Sequence, residues 1–212
     1  MVLFKESDGA RQPSRKQLTR LYQLIDSIAV DTTREALVRN ATATVRRGGS
    51  SSLNFRDLGR SVGVKSSSVH YYFPTKADLL EEIASGYQAS FIAALEQHTD
   101  ASKSFKQDML VLVELFVGAQ RDRLSCLCGM LATEAELLDP EVRSAVNQFF
   151  AKLQDWVVQR ARTWGMSRVG GLAPAKFADL FVSLLEGSLL LSRLDAHKTS
   201  LVAAKEWITR VV

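Results

Sequence analysis

Apolar residues recur every three or four positions along almost the whole chain, and no convincing run alternates apolar and polar residues between turn signals. A spacing of three to four is typical of one helix face, whereas strands show a spacing of two. The pattern therefore predicts an all-α protein. The predicted helices span residues 32–47, 55–62, 66–72, 76–97, 103–122, 126–138, 140–164, 174–195 and 199–211, with a possible short helix near residues 18–28.

Polar residues and glycines mark the ends of several predicted helices. Asn54 is a favoured N-cap for the helix at 55–62, and Gly63 supplies the tight turn that ends it. Thr75 and Asp78 have the spacing of a capping box, in which each side chain bonds to the other residue's backbone. Asp139, which directly precedes a proline, is the clearest predicted helix start.

Two short helices separated by a glycine turn, within residues 54–72, have the spacing of a helix-turn-helix. The second helix of this motif enters the major groove of DNA, where hydroxyl groups and positive charge meet base edges and phosphates. Hydroxyl, aromatic and basic side chains surround that helix. The candidate DNA-contacting residues are Arg46, Arg47, Arg56, Lys65, Ser66, Ser67, Ser68, His70, Tyr71, Tyr72 and Lys76.

The charge is distributed unevenly. Residues 1–80 contain 13 Lys or Arg against 7 Asp or Glu, a net +6, whereas residues 81–212 contain 14 against 16, a net −2. The net charge of +4 thus comes from the first third of the chain. This asymmetry indicates an N-terminal part that binds a polyanion, the alternative being ordinary surface charge.

Composition favours an ordinary folded protein of the cytoplasm. The 212 residues are 46% hydrophobic and 24% charged, close to the average of globular domains. Cys126 and Cys128 are too few and too close together for a secreted disulfide framework. The first 16 residues are polar and basic, unlike a signal peptide, and Glu114 and Glu186 interrupt the longest apolar stretches, so no membrane span is expected.

The stretch from about Thr33 to Leu80 resembles the TetR family of one-component transcriptional regulators. The resemblance rests on FRDLGRSVGVKSSSVHYYFPTKADLL, above all on the aromatic cluster HYYF followed by P-T-K-x-x-L-L. Phe55 and Gly59 depart from the family, which usually has a small hydroxyl residue and alanine there. By the resemblance, the positions that contact DNA are Arg56, Ser66, Ser67, Ser68, His70, Tyr71, Tyr72 and Lys76.

The resemblance implies two domains with different functions along the chain. Residues 31–80 would form the DNA-binding domain, and residues 81–212 a helical domain for ligand binding and dimerisation. Residues 1–30 would be a tail, with a short extra helix or a DNA-contacting arm as alternatives.

Homodimerisation is expected through the helices at 140–164 and 174–195, because they carry the widest apolar faces. The alternative is that both faces pack only within one subunit. The candidate interface residues are Phe149, Leu153, Trp156, Phe181, Leu184, Leu185 and Ser188.

A small-molecule effector is expected to bind among aromatic and sulfur-containing side chains of the C-terminal part. The candidates are Phe91, Phe105, Phe116, Cys126, Cys128, Met130, Trp156 and Trp164. Arg121 and Arg123 lie near the two cysteines in sequence and would lower a thiol pKa, which suggests an electrophile or redox sensor. Inert buried cysteines are the alternative.

Other function classes find little support in the sequence. Residues 59–63 read G-R-S-V-G and match the nucleophile motif of hydrolases, but Ser61 lies within a predicted short helix and lacks the preceding strand that this motif needs. No metal site, cofactor or catalytic residue is expected. The sequence therefore predicts a homodimeric, ligand-responsive repressor that binds double-stranded operator DNA. The alternatives are a dimeric adaptor without DNA binding and, remotely, an all-helical enzyme.

Overall fold

The structure is a computed structural model that describes residues 33–99, 104–194 and 199–212. Residues Leu37–Val212 form one compact unit. Within the described ranges the elements are helices, joined by turns and by one isolated bridge between Val169 and Leu172, which confirms the all-α fold. The short helix predicted near residues 18–28 lies outside the described residues.

Nine α-helices make up this described part, and their bounds follow the predicted ones closely. They are α1 at 33–48, α2 (Phe55–Val62), α3 (Ser66–Tyr72), α4 (Lys76–His98), α5 (Phe105–Arg121), α6 (Leu127–Ala132), α7 (Pro140–Thr163), α8 (Pro174–Leu191) and α9 (Ser200–Val211). Short 3₁₀ turns occupy Ser50–Ser52 and Ala135–Leu137. The helix predicted at 126–138 is thus broken in two, and the helix predicted at 174–195 ends at Leu191.

Side-chain caps explain where two of these helices begin, and a glycine explains where one of them ends. The Asn54 side chain accepts a hydrogen bond of 2.8 Å from the backbone N–H of Asp57, and Gly63 ends α2 with φ of 79°. Thr75 and Asp78 form the predicted capping box at the start of α4. Asp139 occupies the predicted N-cap position of α7, but its side chain makes no capping hydrogen bond.

A small core fixes the helix-turn-helix against α1. Leu37, Ala41 and Val45 of α1 are fully buried, as is Val69 of α3, while Leu58 of α2 is almost so. Because α2 and α3 are short, this shared core and the tight turn between them, rather than helix propensity, hold their relative orientation.

The remaining helices form a layered bundle. Helix α4 packs on α7, α7 on α8, and α9 on both α5 and α8. A buried ion pair joins α5 to α7, since the Asp108 carboxylate accepts hydrogen bonds from Arg160 at 2.7 Å and from the Trp164 indole at 2.9 Å. Within the described ranges, none of the helices is long and apolar enough to cross a membrane.

Candidate functional site

The outer surface of the helix-turn-helix carries most of the predicted DNA-contacting residues. Tyr71 has 80% of its surface exposed, although it is a large aromatic residue. Lys65 at the start of α3 is exposed, and so is Arg56 on α2. The other predicted residues of this surface are Ser67 and His70, which are exposed, and Ser66, Ser68, Tyr72 and Lys76, which are partly buried.

The two departures from the family pattern both tighten the helix-turn-helix. The Phe55 ring packs edge-on against the His70 imidazole, with ring centroids 4.7 Å apart, so it ties the start of α2 to the end of α3. A Cβ atom on Gly59 would lie 2.9 Å from the carbonyl oxygen of Val64. Glycine at this position therefore lets the turn approach α2 more closely than alanine allows.

Arg46 does not lie on the DNA-facing surface, and this prediction is corrected. Its Nε donates a hydrogen bond of 2.8 Å to the carbonyl oxygen of Ser125, and its guanidinium lies 5.4 Å from the Tyr87 ring centroid. The Ser125 backbone N–H donates in return to the Arg46 carbonyl at 3.1 Å. The end of α1 is thus bonded to the segment that precedes α6. Arg47, by contrast, is exposed.

Two further side chains from the bundle bond to the end of α1 and to the turn that follows it. Arg193, just after α8, donates to the Arg47 carbonyl at 2.6 Å and to the Ser125 hydroxyl at 3.2 Å. Glu134 accepts from the Ser50 backbone N–H at 3.0 Å. We name this set of contacts, made by Arg46, Ser125, Arg193 and Glu134, the α1 junction. No motif in the sequence indicated it, because its hydrogen bonds join residues 68 to 146 positions apart.

A cavity of about 430 Å³ lies between α6, α7 and α8, next to the α1 junction. This volume is in the range of small-molecule sites in proteins. Ser125 lines the cavity and also bonds to Arg46. The other lining residues are Cys126, Gly129, Met130, Ala132, Thr133, Phe150, Gln154, Val182, Ser183, Glu186, Gly187, Leu189 and Leu190.

Glu186 is the one carboxylate among these lining residues, and sequence analysis did not select it as a site residue. Burial raises its pKa to about 7, and a hydrogen bond from the Cys126 thiol acts in the opposite direction. Its Oε1 atom is buried and has no hydrogen-bond partner in the described part of the chain. A signal was present in the sequence, because Glu186 is a charged residue inside the otherwise apolar stretch 180–191.

Most of the predicted effector-binding residues belong to the core instead of the cavity. Met130 and Cys126 do line the cavity. Phe91 lines a separate cleft beside Tyr87, and its ring packs on Phe116 and Phe149. The predictions for Phe105, Phe116, Cys128, Trp156 and Trp164 are corrected, because these side chains fill the space between helices or, for Trp164, bond to Asp108.

The environment of the two cysteines does not activate a thiol. Cys126 is 2% exposed and Cys128 is fully buried. Desolvation raises the pKa of both thiols well above the usual value, and the neighbouring Glu186 carboxylate raises it further. Arg121 and Arg123 are exposed and are not among the charges that act on either thiol. The expected electrostatic activation of the cysteines is therefore absent.

Six of the seven predicted interface residues are buried within the single chain. Phe149, Leu153, Trp156, Phe181, Leu185 and Ser188 pack in the core because α7 and α8 turn their widest apolar faces toward each other and toward α4 and α5. Leu184 alone is only partly buried. It belongs to an outward stripe on α8, named here the α8 stripe, that consists of Leu180, Leu184, Gly187 and Leu191. Leu180 and Leu191 are 48% and 45% exposed.

Comparisons with known proteins assign the chain to a family. Residues 37–83 match the family described as bacterial regulatory proteins, tetR family, and residues 89–206 match the C-terminal domain of LmrA/YxaF-like transcriptional regulators. No curated protein sequence matches the chain.

Solved structures agree with these matches. A TetR transcriptional regulator from Legionella pneumophila is 25% identical, with a TM-score of 0.78 over 84% of this chain and 96% of that one. A TetR-family regulator from Agrobacterium tumefaciens is 22% identical, with a TM-score of 0.80 over 86% and 99%. TetR from Rhodobacter sphaeroides is 22% identical, with a TM-score of 0.75 over 83% and 96%. The chain belongs to the TetR family of transcriptional regulators.

Proposed function

We propose that this protein is a homodimeric repressor that binds operator DNA through α3 and releases it when a small molecule occupies the cavity between α6, α7 and α8. The DNA-binding part is supported by the exposed α3 surface with Tyr71 and Lys65, and by the excess of positive charge in residues 1–80. Such a surface suits the phosphates and the major groove of a duplex.

The observation that carries the regulatory part is the position of Ser125. This residue lines the cavity and exchanges two hydrogen bonds with Arg46 at the end of α1. A molecule that fits the cavity only after the segment before α6 has shifted would therefore displace α1 as well. Because α2 and α3 pack on α1, that shift changes the position of the recognition helix.

The partner in the dimer is a second copy of this chain, seated on the α8 stripe. Regulators of this family act as dimers, and the stripe leaves apolar side chains of Leu180 and Leu191 in solvent in the single chain. Pairing the stripes around a two-fold axis would bury them and fix the separation of the two α3 helices. That separation must be about 34–36 Å to reach successive major grooves on one side of the duplex.

Selection from a pool of random duplexes tests the proposed function. The full-length protein is expected to enrich a site with two related half-sites whose centres are about 10 base pairs, or one helical turn, apart. In a reporter strain, a promoter that contains this site should be silenced by the wild-type protein. Failure to enrich any sequence above the starting pool would refute operator binding.

A further inference from the structure

We propose that the effector is a small organic cation with an apolar body, and that the Glu186 carboxylate is its counterion. This proposal rests on the proposed function, and it specifies the chemical class of the ligand that the cavity accepts.

Glu186 has no ion-pair partner in the described part of the chain. Ion pairs in the described part of the chain join Asp57 to Arg60, Asp108 to Arg160, Arg121 to Asp122 and Glu114 to Lys205, and none of them includes Glu186. Its Oε1 atom has no hydrogen-bond partner there either. An isolated carboxylate in an apolar site is costly, so the site gains free energy when a positive charge enters.

The two arginines that contact the cavity wall are occupied elsewhere. Arg46 is bonded to the Ser125 carbonyl and lies over the Tyr87 ring. Arg193 donates to the Arg47 carbonyl and contacts the sulfur of Met130 at 3.1 Å. Neither forms an ion pair with Glu186, and leaving these positions would break bonds of the α1 junction. A cation from outside therefore meets no competing guanidinium.

The lining of the cavity indicates that the uncharged part of the ligand is apolar. Met130, Phe150, Val182, Leu189 and Leu190 provide apolar walls around the single carboxylate. A metal ion needs several oxygen ligands, which one carboxylate does not supply. An alkyl or aryl ammonium satisfies both features, because its charge faces Glu186 while its body packs on the apolar wall, and the Phe150 ring can add a cation–π contact.

A chain of contacts leads from this carboxylate to the DNA-binding part. Glu186 raises the pKa of the Cys126 thiol, and Cys126 in turn raises the pKa of Tyr87, so the three side chains lie next to one another. The Tyr87 ring in turn lies under the Arg46 guanidinium. A cation that draws the Glu186 carboxylate into the cavity would move it away from Cys126, and the change would reach Arg46 through the neighbouring Tyr87. Cation binding is thereby coupled to the α1 junction.

A pair of isosteric probes tests the charge requirement without DNA. Phenyltrimethylammonium and tert-butylbenzene have the same shape, but only the first is charged. Binding to the full-length protein is measured by isothermal titration calorimetry at concentrations below the solubility limit of the hydrocarbon. We expect the wild-type protein to prefer the cation by a factor on the order of ten, the size expected for one partly desolvated charge contact.

Two variants test whether Glu186 causes the preference for the cation. Glu186→Gln should lose the preference for the cation, because the amide keeps the shape of the site and removes its charge. Glu206→Gln, on the exposed surface of α9, should keep the preference of the wild-type protein. Circular dichroism establishes that both variants are folded, and the wild-type comparison decides the proposal if Glu186→Gln does not fold.

Three results would overturn the proposal. They are failure of the wild-type protein to bind the cation, equal affinity of the wild-type protein for both probes, and an undiminished preference in Glu186→Gln. Since these titrations contain no DNA, such results would not contradict operator binding, which the duplex selection tests separately. Conversely, a failed selection with an intact preference for the cation would reject operator binding alone.

Discussion

Arg46 and Ser125 exchange two hydrogen bonds, one from the Arg46 Nε to the Ser125 carbonyl at 2.8 Å and one from the Ser125 backbone N–H to the Arg46 carbonyl at 3.1 Å. The pair joins the last turn of α1 to the wall of the cavity. An arginine that the sequence pattern assigns to DNA phosphates therefore has a different role. It holds the DNA-binding helices against the bundle.

The neighbouring arginines 46 and 47 provide a matched test of this assignment. The slope of log K against log salt concentration should fall by about one in Arg47→Met, because an exposed side chain facing phosphate is lost. The slope should be unchanged in Arg46→Met, since that guanidinium is bonded to Ser125. Fluorescence anisotropy with the selected duplex measures both slopes. An equal decrease of the slope in the two variants would show that Arg46 also contacts DNA.

The α8 stripe predicts which substitutions separate the protomers. Leu180→Glu should yield a folded monomer, because burying an unpaired charge in the interface costs several kcal/mol. Val202→Glu on α9 is the control, since Val202 is 52% exposed, close to the 48% of Leu180. Sedimentation velocity reports the oligomeric state and circular dichroism the fold. An intact dimer in Leu180→Glu would place the interface elsewhere.

Glu186 predicts a pH dependence of stability with a definite sign. Its pKa in the folded state, about 7, lies above the value of 4.5 for a free side chain. Folding therefore favours the protonated form, and its contribution is complete below about pH 4.5 and is lost as the pH rises through about 7. The advantage of Glu186→Gln over the wild-type protein in free energy of unfolding should grow over this range, by at most about 3 kcal/mol.

Urea denaturation at several pH values measures this difference. Glu206→Gln serves as the reference, because Glu206 is exposed. The thiols of Cys126 and Cys128 also face Glu186, but burial raises their pKa, so they stay protonated throughout. A difference between Glu186→Gln and the wild-type protein that does not change with pH would show that Glu186 is not desolvated in the folded state.

Local sequence signals were sufficient for the helices and their caps. The Asn54 cap, the Gly63 turn and the Thr75 capping box depend on residues within a few positions of one another, and the structure contains all three. Most of the residues predicted for the interface lie inside the single chain for a physical reason. A wide apolar helix face such as that of Phe149 and Leu153 indicates burial, but the sequence does not say whether the covering surface comes from the same chain.

The cavity could not be predicted from local sequence patterns, for a similar reason. Glu186 meets Cys126 and Gly129 only after α6 and α8 have packed together, and their separation in sequence leaves no periodic signal. Among the aromatic residues selected as effector ligands, Phe116 is instead one of the largest fully buried side chains of the core. Aromatic content predicts buried area better than it predicts a binding site.

The cysteines are expected to be unreactive in the folded protein. Their thiols are buried and protonated at neutral pH because burial and the Glu186 carboxylate both raise the thiol pKa. N-ethylmaleimide should modify neither residue in the time that fully labels the chain in guanidinium, and operator binding should persist after the treatment. Mass spectrometry counts the adducts. Rapid modification of Cys126 by N-ethylmaleimide in the folded protein, with loss of operator binding, would show that Cys126 is a reactive sensor.

Operator binding through α3 is the central claim, and salt titration of the selected duplex with Tyr71→Ala and Lys76→Ala tests it most directly. Tyr71 is 80% exposed on this surface and Lys76 begins α4 beside it. Both variants should remain dimeric and bind the duplex more weakly than the wild-type protein, and Lys76→Ala should lower the salt slope by about one. Wild-type affinity and an unchanged slope in both variants would contradict the placement of α3 on DNA.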